Sequence, residues 1–98
     1  MLCDAKALQQ AGTFAIVLEV VKQEIAATIT QQLDTCSTIG IGSGAECDGQ
    51  VLVITDVLGL SALTPKFAKS YVDGKFILGG AIKSYVDEVK GKTFPAKQ

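Results

Sequence analysis

The chain has no arginine, no histidine and no tryptophan. Without arginine there is no planar fork to grip a phosphate or a guanine edge at two points. Nine lysines against ten acidic residues leave a net charge of −1, so the basic footprint of a nucleic-acid binder is missing as well. The absence of histidine excludes a His-dependent triad and removes the commonest metal ligand. Long apolar runs are also lacking: Phe14–Leu18 and Val51–Ile54 fall far short of the ~20 residues a membrane helix needs. No basic flank followed by an apolar core opens the chain, so no secretory signal is read. Cys3, Cys36 and Cys47 form no CxxC pair and are odd in number, which fits reduced thiols in a cytoplasmic protein. Neither nucleic acid nor membrane is therefore expected as a partner.

What is present is a globular composition, 48% apolar and 19% charged, too apolar for a chain that stays disordered. Ninety-eight residues suffice for a single small domain but not for two. Leu2, Ala5, Leu8 and Ala11 recur at helical spacing, and Gly12 follows where a helix would stop. Phe14–Leu18 reads as a strand buried on both faces, as in a parallel sheet covered by helices. Ile25, Ile29 and Leu33 return to a helical stripe. Ser37–Ile41 reads as a second strand, and Gln50–Thr55 as a third closed by Asp56. Thr64 and Pro65 predict the start of a helix carrying Phe67 and Tyr71 on one face. A break or close-packing point is expected at Gly79-Gly80, then a stripe of Ile82, Tyr85, Val86 and Val89 ended by Gly91, and a polar tail over Thr93–Gln98. The fold class is α/β with parallel strands.

Glu19 is the leading candidate for chemistry. It stands at the carboxyl end of the most hydrophobic strand, where α/β folds place catalytic side chains. Desolvation there would make a carboxylate a stronger base, while a first-turn glutamate complementing a helix dipole is the structural alternative. Gly40-Ile41-Gly42-Ser43-Gly44 follows a strand but is out of register with GxGxxG. It admits either a phosphate or cofactor loop or close backbone packing. Asp48 and Asp56 flank the third strand; a turn and a cap are expected of them, and their spacing supports no metal site. Lys83, Lys90 and Lys92 read as a solvated helix face.

The order of motifs is more specific than any one of them. Ala11 to Glu19, then Thr38 to Gly44, Cys47 to Val53, Asp56 to Leu60, Pro65-Lys66-Phe67 and Phe94-Pro95 together resemble the ketopantoate (3-methyl-2-oxobutanoate) hydroxymethyltransferase family. The resemblance covers essentially the whole chain. It implies a single partial domain over residues 1–98, the C-terminal part of a TIM (β/α)8 barrel: about three βα units plus terminal helices. The implied reaction carries a hydroxymethyl group from 5,10-methylenetetrahydrofolate to 3-methyl-2-oxobutanoate, giving 2-dehydropantoate for pantothenate and coenzyme A synthesis. Glu19 inherits the role of general base. Mg²⁺ is the implied cofactor, with its ligands in the N-terminal barrel half rather than here, so no metal ligand is carried over. The implied partners are that missing half and, in the complete enzyme, further copies in a homo-oligomer.

Three positions depart from the family pattern: Thr55 stands for a usual histidine, and Lys22 and Ser37 for usual prolines. The Gly74–Gly80 region also differs from the usual charged helix. Three expectations follow. The chain is a fragment of the enzyme, without turnover by itself; or it is an inactive remnant or interaction module of the same family; or it is an unrelated phosphate or nucleotide binder using Gly40–Gly44.

Overall fold

A computed structural model describes residues 1–96. The chain divides into two compact units, Met1–Leu52 and a second from Val53 onward, and each is taken in turn.

The first unit runs α1 (Leu2–Gln10), β1 (Ala15–Glu19), α2 (Gln23–Gln32), β2 (Ser37–Ile41) and β3 (Gly49–Gln50). Its strands lie in the order β1-β2-β3, all parallel, as expected for βα alternation. Gly12, at φ +100°, turns the chain out of α1. The core comprises Ala5, Leu18, Val21, Ala26, Ile29, Leu33 and Cys36, with Leu2, Ile16 and Cys47 packed against it. Ala26 and Ile29 are completely buried, so the helical stripe read from Ile29 and Leu33 meets the sheet; Ile25 is exposed.

The first strand corrects the expectation of burial on both faces. Ile16 and Leu18 enter the core, whereas Val17 is 62% exposed; Phe14, 85% exposed, precedes the strand. Side chains alternate across a strand, and the helices of this unit cover only the face that Ile16 and Leu18 share. Ala15, Val17 and Glu19 occupy the other face.

The third strand is also corrected, from Gln50–Thr55 to the two residues of β3. Val51 N–H still donates to the Gly40 carbonyl at 3.0 Å. Ile41, the last residue of β2, gives its carbonyl to Val20 N–H at 2.9 Å on the β1 side. The next carbonyl due to face β3 is that of Gly42, where the chain turns away at φ +66°. The ladder therefore runs out of acceptors, and Ile54–Val57 coils into the single-turn helix α3.

In the second unit the helix expected from Thr64 does not form. Pro65 to Ala68 makes one turn, Ala68 N–H to Pro65 carbonyl at 3.0 Å, and α4 begins only at Gly74 (Gly74–Lys90). The amides that would propagate a helix are engaged elsewhere: Tyr71 N–H with the Val57 carbonyl and Gly74 N–H with the Leu58 carbonyl, both at 2.8 Å. Asp73 replaces Thr64 as the N-cap, its carboxylate accepting from Phe76 N–H at 3.3 Å. The close approach requires small residues, since a Cβ on Gly59 would overlap the Val72 carbonyl and one on Gly74 the Leu58 carbonyl.

α4 passes through Gly79 and Gly80 without interruption, and a Cβ at either would meet nothing within 4 Å. Neither a break nor close packing occurs there. Gly91 ends the helix as expected, and Tyr85 meets Phe94 edge-on with ring centroids 5.4 Å apart. The apolar stripe is exposed, Ile82 at 65% and Tyr85 at 55%. Lys83 pairs with Asp87 at 2.7 Å on the solvated side. The last two residues of the polar tail lie outside the described residues.

Two substitutions separate packed from unpacked positions. Ile29→Ala should lower unfolding free energy by about 2–5 kcal/mol, the usual cost of truncating a buried isoleucine. Gly79→Ala, with open space for its methyl, should raise it by about 0.5–1 kcal/mol by removing a helix-interior glycine. Urea denaturation followed by circular dichroism reads both.

Candidate functional site

The carboxyl ends of β1 and β2 come side by side, with Glu19 paired in register with Ile41. The pairing continues one residue further through Val20 N–H and the Ile41 carbonyl. Val20 then adopts φ +52°, a left-handed conformation costly for a β-branched residue. Across this turn the carbonyl of Leu18 and the amide of Val21 stand three residues apart, the pair that a β-turn joins directly. Here the hydroxyl of Ser43 stands between them. Ser43 Oγ donates to the Leu18 carbonyl at 2.6 Å and accepts from Val21 N–H at 3.0 Å, with the Ile41 carbonyl at 3.4 Å. Ser43 is 1% exposed. Both backbone groups are satisfied within the turn, and Glu19 projects from it into solvent.

The glycine-rich segment delivers that hydroxyl. Gly42 and Gly44 have φ +66° and +85°, conformations glycine takes without penalty. A Cβ on Gly44 would lie 2.5 Å from Gln23 Cγ, and one on Gly40 2.9 Å from Cys47 Sγ. Gln50 Nε2 donates to the Gly44 carbonyl at 2.8 Å, bracing the loop from β3. Close backbone packing, one of the alternatives left by the sequence, describes the segment.

The remaining sequence-flagged residues are placed differently. Asp48 does more than make a turn: its carboxylate accepts from Thr38 N–H at 2.9 Å, while Thr38 Oγ1 accepts from Asp48 N–H at 3.1 Å. Thr30 Oγ1 lies 2.7 Å from Thr38 Oγ1, completing a polar knot behind β2. Asp56 is buried within α3, whose N-cap is Val53, and does not cap that segment. Its carbonyl accepts from Ser70 Oγ at 3.0 Å. Cys3, Cys36 and Cys47 are free thiols. Among the described residues no three His, Cys, Asp or Glu side chains gather so as to hold a metal ion, so these residues do not fit a Mg²⁺ site.

The desolvation anticipated for Glu19 is not provided by this chain, because the side chain emerges on the uncovered face of the sheet. The sequence does not single out Ser43 for this turn. The signal was present in a small hydroxyl side chain set between two glycines beyond a strand end, and only the backbone path shows that it reaches across to β1. The departures at Lys22, Ser37 and Thr55 have local accounts. Lys22, at φ −54°, keeps the dihedral proline would impose. Ser37 N–H donates to the Phe14 carbonyl at 3.0 Å, a bond proline cannot make. Thr55 Oγ1 accepts from Ser61 Oγ at 3.1 Å.

A family model described as ketopantoate hydroxymethyltransferase matches residues 1–97. The 3-methyl-2-oxobutanoate hydroxymethyltransferase of Geotalea uraniireducens is 54% identical over 98 residues, covering 99% of this chain and 36% of the relative. That of Francisella tularensis subsp. tularensis is 50% identical over 99 residues, covering 100% of this chain and 37% of the relative. The Magnetococcus marinus protein of the same name is 56% identical over 93 residues, covering 94% and 34%. The chain thus spans about a third of the length of the curated relatives it matches, a C-terminal part.

Gly44→Ala should destabilise the first unit by about 1–3 kcal/mol, the scale of a non-glycine residue held in the left-handed region. Comparing denaturation midpoints of Gly44→Ala and Gly79→Ala checks this, since the two changes should have opposite signs.

Proposed function

Because the chain belongs to the ketopantoate hydroxymethyltransferase family, we propose that it contributes the general base of that reaction, Glu19, to a complete (β/α)8 barrel. Its three parallel strands in sequential order suit three consecutive βα units. The observation that carries the assignment is the face Glu19 occupies. It shares the side of β1 opposite the helical core, which in a closed barrel is the interior, and it stands at the strand's carboxyl end, where barrel enzymes hold their chemistry.

The substrate proposed is 3-methyl-2-oxobutanoate, and the one-carbon donor 5,10-methylenetetrahydrofolate. The carboxylate of Glu19 takes the proton from the carbon beside the ketone. The electron pair released forms the enolate. One water hydrolyses the donor's methylene bridge, releasing tetrahydrofolate and a one-carbon unit at the formaldehyde level. The enolate carbon bonds to that unit, and the proton held by Glu19 passes to the new alkoxide, giving the hydroxymethyl group of 2-dehydropantoate. The turn beneath Glu19 fixes where the carboxylate starts. Its desolvation comes from bound substrate and the remaining barrel, because this chain leaves it in water. Mg²⁺, when bound, supplies Lewis-acid stabilisation of the enolate, with ligands outside residues 1–98. The exposed stripe of α4 suits burial in an assembled homo-oligomer, and the free thiols suit the cytoplasm.

The test is tetrahydrofolate-dependent formation of 2-dehydropantoate in the presence of Mg²⁺. Three samples are compared: this chain, the chain with the remaining two thirds of the Geotalea relative, and that mixture carrying Glu19→Gln. Turnover is expected in the complemented mixture only, and Glu19→Gln should lower it by about 10²–10⁴-fold, the usual contribution of a general base. Association of the two parts without turnover would overturn catalysis and leave an interaction module.

A further inference from the structure

We propose that Ser43 is a positioning residue for Glu19, its buried hydroxyl holding the strained turn from which the carboxylate projects. The inference rests on Glu19 being the base. Ser43 reaches neither substrate nor the Glu19 carboxylate; it acts through the backbone on both sides of it.

Two independent features converge on that turn. Val20 sits at φ +52°, a conformation a β-branched residue keeps only where its surroundings enforce it. The enforcement is visible. Val20 N–H is held by the Ile41 carbonyl at 2.9 Å, the Leu18 carbonyl by Ser43 Oγ–H at 2.6 Å, and Val21 N–H by Ser43 Oγ at 3.0 Å. One side chain thus supplies two of the three restraints and spans Glu19 and Val20 from outside. With the hydroxyl gone, the peptide between Glu19 and Val20 is free to rotate as Val20 relaxes to negative φ. That rotation changes the backbone at Glu19 and swings the carboxylate. Substrate affinity does not depend on the hydroxyl, whereas proton transfer depends on the position of the base to a fraction of an ångström.

The hydroxyl is itself rigidly presented. Flanking left-handed glycines leave it 1% exposed, and the Gly44 carbonyl is anchored by Gln50 Nε2 at 2.8 Å. Ser43 therefore couples the loop after β2 to the end of β1 by a single atom.

The experiment fuses this chain to the remaining two thirds of the Geotalea relative. It measures kcat, KM for 3-methyl-2-oxobutanoate, and solvent-deuterium exchange at the carbon beside the ketone, each normalised to folded protein. Ser43→Ala should lower kcat and exchange together by about 10–100-fold, the scale of a base displaced by about 1 Å, with KM within about twofold. Ser43→Cys, a weaker donor, should fall between Ser43→Ala and the parent. Unchanged kcat in Ser43→Ala, or a loss wholly accounted for by the folded fraction, would overturn the proposal. If Ser43→Ala does not fold, Ser43→Cys decides: reduced exchange at unchanged KM supports positioning, and full exchange overturns it. Glu19→Gln is the separate control, since exchange surviving in that variant removes the base assignment itself.

Discussion

The pairing of β1 with β2 is the constraint from which the rest of the first unit follows. Five parallel register pairs join Ala15–Glu19 to Ser37–Ile41, and α2 packs across the pair as the crossover that a parallel connection requires. The pairing does not stop where the strands do, because Val20 N–H takes the Ile41 carbonyl. Glu19 is therefore held at a strand end whose continuation is itself bonded. Whatever fixes the loop after Ile41 then also fixes the base of the Glu19 side chain. The glycines at 42 and 44 and the serine between them gain their meaning from that adjacency.

Much of this was legible in the sequence, and the misses have physical reasons. The bounds of α1 and β2 and the stop at Gly91 followed from periodicity and glycine placement, because those signals are local. The third strand failed because its apolar residues specify an extended segment but not how many acceptors its neighbour offers. The helix from Thr64 failed because its amides found carbonyls at Val57 and Leu58, a competition invisible to capping rules. The reading of Phe14–Leu18 as buried on both faces reflects composition written for a sheet with two covered faces, of which this unit provides one.

Within the candidate site, the sequence points to Glu19 because strand-end carboxylates have a positional rule. It does not point to Ser43, whose role is long-range: 25 residues separate it from the Leu18 carbonyl it binds. No periodicity marks such a bond. Asp48 shows the same limit, being read as a turn residue when its carboxylate also serves the backbone of β2.

The reciprocal bonds between Asp48 and Thr38 have a consequence for how so short a strand keeps its place. Two ladder positions offer little to distinguish one alignment of β3 from another shifted along β2, and in longer strands that distinction comes from repetition. Here it comes from an asymmetric key: the Asp48 carboxylate takes the Thr38 amide, and the Thr38 hydroxyl takes the Asp48 amide. A slip in either direction would undo both at once. Alignment is indexed at one point by side-chain chemistry, which leaves the residues beyond Gln50 free to change in sequence or length without moving the strand that braces Gly44.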